Sequence, residues 1–414
     1  LSRDILEERQ WNRFKKLIRF AYDMNVFYRK RFDDAGVRPE DIRSIEDIRA
    51  LPILTKEDIR RETDEMISRG FIKDTLMKIK TGGSTGTALE LYITEECSEF
   101  RNACARRSDQ WSGWKPCEPV GAVWGNPILP SGVKSRMRSF LLGPYIFLDT
   151  MNITDNSVLR FSGDWERVRP TLLYGHAHSI FILAEYVKKL SVDVIRPRSI
   201  VSTSMMLLAH ERKTIEQVFG VKVTDRYGCE EVSLIASECE RHEGMHMNIE
   251  HLLIEFIKED GEPAAPGEMG TIVVTDLMNY AMPLIRYRVE DMGMPTDRIC
   301  KCGRGLPLMD KVLGRTADFL VRKDGSRVAG VSLIERLLTN NPGICQMQIV
   351  QETIDHFHVS IVKGDKFIQD TTIPQFLNDL REIFPDTEIV VEYAGHIKPE
   401  ISGKYRFAIC KLKI

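Results

Sequence analysis

Two parts of the sequence carry residue types and spacings that could do chemistry. The first is "TGGSTGT", running from Thr81 to Thr87, in which Gly82, Gly83 and Gly86 are interleaved with Ser84, Thr85 and Thr87. Glycines let the backbone approach a ligand closely and hydroxyls add donors, so such a loop can hold phosphate oxygens. It is not a P-loop: Gly86 is followed by Thr87 and Ala88, where that motif needs a lysine and a hydroxyl. The second part is split in two. "SECERHEGMH" offers Cys239 and His242 as C-x2-H, and "RICKCGRG" offers Cys300 and Cys302. Thiolate pairs at short spacing before a glycine turn look like half of a zinc knuckle. Cys239, His242, Cys300 and Cys302 would close a Cys3His structural zinc site, with His246 as the substitute ligand.

These residues need elements to position them, and the composition allows a sizeable core. The chain has 414 residues, enough for two domains, with 43% hydrophobic and 29% charged residues and a formal net charge of −2. That balance argues against nucleic acid or a polybasic membrane surface as the main partner. No apolar run approaches the roughly 20 residues of a membrane span. The opening "LSRDILEERQ" is charged where a secretory signal would be apolar, so a cytoplasmic protein is expected. Nine cysteines, an odd number, fit reduced thiols better than a disulfide framework.

Trp11, Phe14, Ile18 and Tyr22 recur at helical spacing and predict an amphipathic helix. Thr55 is placed to cap a second helix, with Glu57 and Asp58 in its first turn. "VGAVWG" from Val120, "TLLYG" from Thr171, "SIVSTS" from Ser199 and "VKVTDRYG" from Val221 read as buried strands. They alternate with helical "SIFILAEYVKKL" and "AHERKTIEQVFG". This alternation predicts an α/β protein with a mainly parallel sheet covered by helices. From "EMGTIVVTDL" to "LIRYRV" the pattern turns β-rich, which predicts a smaller sheet or barrel. A large domain over 1–317 and a small α+β domain over 318–414 are expected, the latter from "QMQIVQE", "HFHVSIVK" and "TEIVVEY" among helical segments. There is no repeat and no low-complexity tract.

Four more stretches follow the Thr81 loop in order: "DRYGCEE" (225–231), "PLIRYRVEDMG" (283–293), "VLGRTADFLV" (312–321) and "ISGKYRFAICKL" (401–412). The ordered set resembles the adenylate-forming ligases, in particular the phenylacetate–CoA ligase branch and its relatives in capsular polysaccharide gene clusters. The resemblance covers nearly the whole chain. It implies that the Thr81 loop closes over the β- and γ-phosphates of ATP, and that Tyr227, beside Gly228, lies near adenine. It implies further that Glu231 helps to hold Mg²⁺, that Asp291 receives the ribose hydroxyls and that Arg315 contacts ribose or phosphate. Asp318 is then the hinge of the small domain, and Lys404 bridges the substrate carboxylate and the α-phosphate. Two positions depart from the family pattern. Thr87 stands where a lysine is common. Glu230 stands where a threonine is usual, which leaves the metal-holding carboxylate open between Glu230 and Glu231.

The segment "LLYGHAHSIFILAEYV" occupies the region that lines the acyl pocket in relatives. Tyr174, His176 and His178 make it more polar than a pocket for a plain phenyl ring. Ser202 and Ser204, in "STSMM", fall where relatives border adenine and the acyl group. The expected activity is formation of acyl-AMP from a carboxylic acid and MgATP, followed by transfer to a thiol, with coenzyme A as acceptor. Three rivals stand beside it: an amide-forming ligase of surface-polysaccharide assembly with an amine acceptor, an adenylyltransferase acting on a cofactor, and a non-catalytic nucleotide-binding homologue. A homodimer is compatible with this reading.

Overall fold

The apolar spacing of the first residues produces a helix over Arg3–Met24 that buries Phe14, Leu17, Ile18 and Ala21. It stops at Asn25, whose backbone is extended and whose side chain accepts the Tyr28 N–H, so one residue ends this helix and caps the next, Val26–Asp34. Thr55 caps helix Lys56–Glu62 in a reciprocal box with Asp58, as its spacing predicts. The computed structural model describes residues 1–80, 89–124, 144–150, 153–315, 319–325, 327–398 and 405–412.

The chain divides into two compact units, Leu1–Gly113 with Thr224–Val312, and Trp114–Val223 with Leu313–Ile414. In the first, antiparallel strands run in the spatial order Leu252–Ile257, Gly270–Asp276, Tyr287–Pro295, Leu308–Arg315, Met245–Met247, Ser233–Glu238 and Val223–Cys229. Their apolar faces and the N-terminal helices form one core with Phe32, Leu54, Val274, Leu284 and Tyr287. The antiparallel part begins at Val223, earlier than the β-rich pattern suggested. The reason is local. Gly228 lies so close to the returning strand that a Cβ there would stand 2.5 Å from the Ser233 carbonyl oxygen, which lets "DRYGCEE" turn back on itself.

Helix Glu95–Trp111 braces this sheet through charged side chains. Arg101 pairs with Asp276 in the interior, Arg107 with Glu250, and Asp109 with Arg226. Removing one partner of the wholly buried Arg101–Asp276 pair would cost about 3–5 kcal/mol, because the other charge would be left in the core.

In the second unit, strands Ser199–Thr203, Leu172–His176, Val120–Trp124 and Tyr145–Asp149 are parallel neighbours. Helices Asp155–Val168, Ala177–Lys189 and Ala209–Phe219 bury Phe161, Trp165, Ile180, Leu183 and Ile215 against them. The last of these helices ends at Gly220, whose φ of 68° is the left-handed conformation that glycine adopts without strain. The same unit holds a mixed four-stranded sheet in the order Glu388–Tyr393, His356–Lys363, Ile344–Gln351 and Ala408–Cys410. Helices Gly330–Asn340 and Gln369–Ile383 cover it with Ile334, Leu337, Phe376 and Leu380. The architecture is therefore α/β with a parallel portion, a large antiparallel portion and a small C-terminal sheet. No helix among the described residues is long and apolar enough to cross a membrane.

Candidate active site

Tyr227 and Asp291 meet across the antiparallel sheet. The Tyr227 hydroxyl donates to Asp291 Oδ2 at 2.7 Å. Burial and the neighbouring carboxylate push the tyrosine's pKa well above its ordinary value, so it stays a neutral donor. Strands Val223–Cys229 and Tyr287–Pro295 place these two side chains, and both are partly accessible.

Glu230 and Glu231 occupy the turn after Cys229 and point to different environments. Glu230 is exposed, whereas Glu231 is 7% exposed. Glu231 Oε1 accepts from the Tyr287 hydroxyl at 2.9 Å, and its backbone carbonyl accepts from Arg101 Nη2 at 2.9 Å. The adjacent Cys229 thiol is driven upward in pKa by burial and by the Glu231 charge, so it stays protonated. A single anchored carboxylate suits Mg²⁺, which takes one or two protein oxygens and completes its shell with phosphate and water. Of the two acids, Glu231 is the one anchored in this way. Arg101 carried no motif signal, and Tyr287, inside "PLIRYRVEDMG", was given no role there; both show their part only through these contacts.

The strand ends of the second unit hold the candidate acyl residues. Tyr174 stacks on Trp124 with ring centroids 5.5 Å apart, and His176 lies 4.2 Å from the same indole. Across the parallel ladder Gly175 pairs with Ser202 and His176 with Thr203. Ser204 follows in a left-handed conformation, φ 66°. Carboxyl ends of parallel strands are where α/β sheets bind ligands. His178, the second residue of helix Ala177–Lys189, is buried and engaged by Glu211, with the Tyr405 and Phe407 rings 4.4 and 4.8 Å away. Arg315 closes strand Leu308–Arg315. Thr81, Gly82, Gly83, Ser84, Thr85, Gly86, Thr87, Asp318 and Lys404 lie outside the described residues. The strands that flank the first of these segments, Met77–Lys80 and Glu90–Ile93, pair antiparallel with Lys80 opposite Glu90.

The cysteines come together, with a different histidine from the one that spacing favoured. The ligand atoms of Cys239, His246, Cys300 and Cys302 all lie within 4.8 Å of one another. Cys239 and Cys300 sulfurs are 3.7 Å apart, and Cys302 Sγ is 3.3 Å from His246 Nε2. A tetrahedral zinc ion with ordinary bond lengths needs about 3.8 Å between sulfurs and about 3.6 Å between sulfur and nitrogen, so the set fits. His242 is not a member. It sits on the turn after Cys239 with φ 53°, and its Nδ1 is 3.2 Å from Glu238 Oε2. His246 belongs to strand Met245–Met247 and is brought in by pairing with Leu308.

The second layer also suits a metal. His246 Nδ1 is 3.1 Å from the Leu306 carbonyl, which as acceptor fixes the tautomer with Nε2 toward the thiols. Burial lowers the His246 pKa, favouring the neutral imidazole that ligates. Burial pushes the Cys239 thiol up to about 12 in the absence of a cation. Burial opposes ionisation of Cys302 too, but hydrogen bonds from the Arg304 amide and guanidinium hold its thiol below the ordinary value. Arg241 and Arg304 backbone amides donate to Cys239 and Cys302 sulfur at 3.4 and 3.5 Å.

The fold is that of the adenylate-forming ligases. The family described as the CapK C-terminal domain matches residues 320–411. Phenylacetate-coenzyme A ligase of Thermus thermophilus is 27% identical over 383 residues, covering 89% of this chain and 84% of that protein. Protein CapK of Staphylococcus aureus is 23% identical over 414 residues, covering 99% and 90%. Among solved structures, a 2-hydroxyisobutyryl-CoA ligase in the postadenylation state in complex with 2-HIB-AMP superposes with a TM-score of 0.76, at 18% identity, over 93% of this chain and 85% of that one. The chain is a homologue of the phenylacetate-coenzyme A ligases and of CapK.

Proposed function

We propose that the protein is an AMP-forming ligase that converts a carboxylic acid and ATP to acyl-AMP and pyrophosphate, then transfers the acyl group to coenzyme A. The observation that carries this reading is the junction of Tyr227 with Asp291 beside an anchored Glu231. It unites residues of two motifs, "DRYGCEE" and "PLIRYRVEDMG", through a contact 64 residues apart in the chain. Attack of a carboxylate on the α-phosphorus brings two anions together, so the site must neutralise charge and hold an in-line geometry. Asp291 accepts the ribose hydroxyls, and Tyr227 orients it and borders adenine. Amides and hydroxyls of the 81–87 loop receive the β- and γ-phosphates. Mg²⁺ bound at Glu231 neutralises phosphate charge. Arg315 contacts ribose or phosphate, and Lys404 bridges the two reacting groups.

Residues 318–414 act in this reading as a mobile domain that turns about Asp318. Tyr174, His176 and Ser204 contact the acyl group, and Ser202 borders the nucleotide. Zinc at Cys239, His246, Cys300 and Cys302 is structural: four protein ligands close the shell and leave no position for substrate. The use of ATP and coenzyme A supports a cytoplasmic location. The test is ATP–pyrophosphate exchange across a panel of aryl, hydroxy and amino-substituted carboxylic acids. Metal–ATP binding without exchange by any acid would instead assign a nucleotide-binding protein.

A second reading, acyl transfer to an amine in surface-polysaccharide assembly, draws on the match to the CapK C-terminal domain over 320–411. Offering the purified acyl-AMP complex coenzyme A or an amino sugar separates the two by which one releases AMP.

A further inference from the structure

Glu231 is held at two points, by Arg101 from outside the motif stretches and by Tyr287 from within "PLIRYRVEDMG", where it had no assigned role. Its carbonyl is fixed by Arg101, whose guanidinium is itself paired with Asp276. Its carboxylate accepts from the Tyr287 hydroxyl at Oε1, 2.9 Å away, and the neighbouring Cys229 thiol also bonds to it. Tyr287 is wholly buried and leads strand Tyr287–Pro295, opposite Val274 on one side and bridged to Leu54 on the other. The ring packs in the core of the first unit, so the phenol oxygen has one available position.

The chemistry of this arrangement is specific. A phenylalanine would fill the same core volume, so packing asks only for the ring and not for its oxygen. The oxygen's one visible partner is Glu231 Oε1. A carboxylate with one oxygen tied rotates less about its last bond and presents the other in a set direction. Ordering a ligand group before the cation arrives removes that entropy cost from binding.

We propose that Tyr287 is a positioning residue: its phenol ties Glu231 Oε1 so that Oε2 faces the divalent cation of metal–ATP. The inference rests on the ligase reading for the role of Glu231. Its test reads metal binding rather than turnover. Mn²⁺ is titrated into the full-length protein with ATP and no acid, and free Mn²⁺ is followed by electron paramagnetic resonance. Tyr287→Phe is expected to weaken Mn²⁺ in the ternary complex by about 10-fold, the lower end of what outer-shell partners contribute. Affinity for metal-free ATP should stay unchanged. In a Glu231→Gln background the same substitution should add nothing, because the carboxylate it orients is gone. Unchanged Mn²⁺ affinity in Tyr287→Phe, or an equal loss in both backgrounds, overturns the proposal.

Should Tyr287→Phe not fold, Glu231→Gln decides alone. Its amide oxygen still accepts from Tyr287, so the melting temperature should hold while Mn²⁺ affinity falls. Loss of stability without loss of affinity overturns the assignment. Acid-dependent pyrophosphate exchange by the wild type is measured alongside. Its absence with metal–ATP binding intact defeats the ligase reading and leaves the Tyr287 assignment standing.

Discussion

Tyr227 and Asp291, 64 residues apart, are joined by a 2.7 Å hydrogen bond from phenol to carboxylate. One residue is expected at the adenine and the other at the ribose, so the bond sets the distance between two parts of one nucleotide. Asp291→Ala should weaken ATP binding by about 1.5–3 kcal/mol, the range for hydrogen bonds to a charged group. Tyr227→Phe keeps the ring and loses only the orienting contact, so about 1 kcal/mol is expected. Calorimetric titration with ATP checks both, and equal affinity for Asp291→Ala and wild type would take Asp291 out of the site.

The Cys3His cluster predicts one tightly held zinc per chain. His246→Ala and Cys300→Ser should each lower zinc content and melting temperature together, since structural metal binding is coupled to folding. His242→Ala should keep the metal, because that ring faces Glu238. Trp111 packs edge-on to His246 with centroids 5.6 Å apart, so chelation should change indole emission. Metal analysis of protein purified without added zinc is the primary measurement. A metal-free chain with freely alkylated Cys239, Cys300 and Cys302 would remove the site.

Lys404 should separate the two half-reactions. Lys404→Ala is expected to slow acyl-AMP formation by about 10²–10³-fold, as for loss of one strong electrostatic contact in a transition state. Transfer from supplied acyl-AMP should survive. Paired single-turnover assays, one from acid plus ATP and one from synthetic acyl-AMP, give the answer. Equal loss in both would make Lys404 structural and set aside rotation about Asp318.

His251 gives the stability a pH dependence of known sign. The residue is fully buried, and burial pushes its pKa down to about 4. Below about pH 6.5 the unfolded chain takes up a proton that the folded imidazole refuses until pH about 4. The folded state therefore loses stability as pH falls through that window. Between pH 7 and 5 this one residue should contribute about 2 kcal/mol of that loss. His251→Phe retains a ring beside Phe100 and should flatten the profile by that amount in urea denaturation. An identical profile would assign the acid sensitivity elsewhere.

What the sequence determined by itself is what short-range chemistry dictates. Helical spacing from Trp11 to Tyr22, the Thr55–Asp58 cap and the strand runs at Val120, Leu172 and Ser199 all appear where pattern puts them, because side-chain period and capping act within a few residues. The motif order from "DRYGCEE" to "SGKYR" was equally legible as a resemblance. Tertiary structure decided the choices that depend on register. His242 was favoured by its C-x2-H spacing, yet strand pairing of Met245–Met247 with Leu308 and Met309 carries His246 to the thiols and leaves His242 on a turn. Glu230 and Glu231 are adjacent and chemically alike, and only the fold buries one beside Tyr287 and exposes the other. Tyr287 reads in sequence as a strand aromatic, and Arg101 as one charge on a helix. Their work on Glu231 arises from contacts 56 and 130 residues away in the chain, a separation at which no local spacing carries a signal.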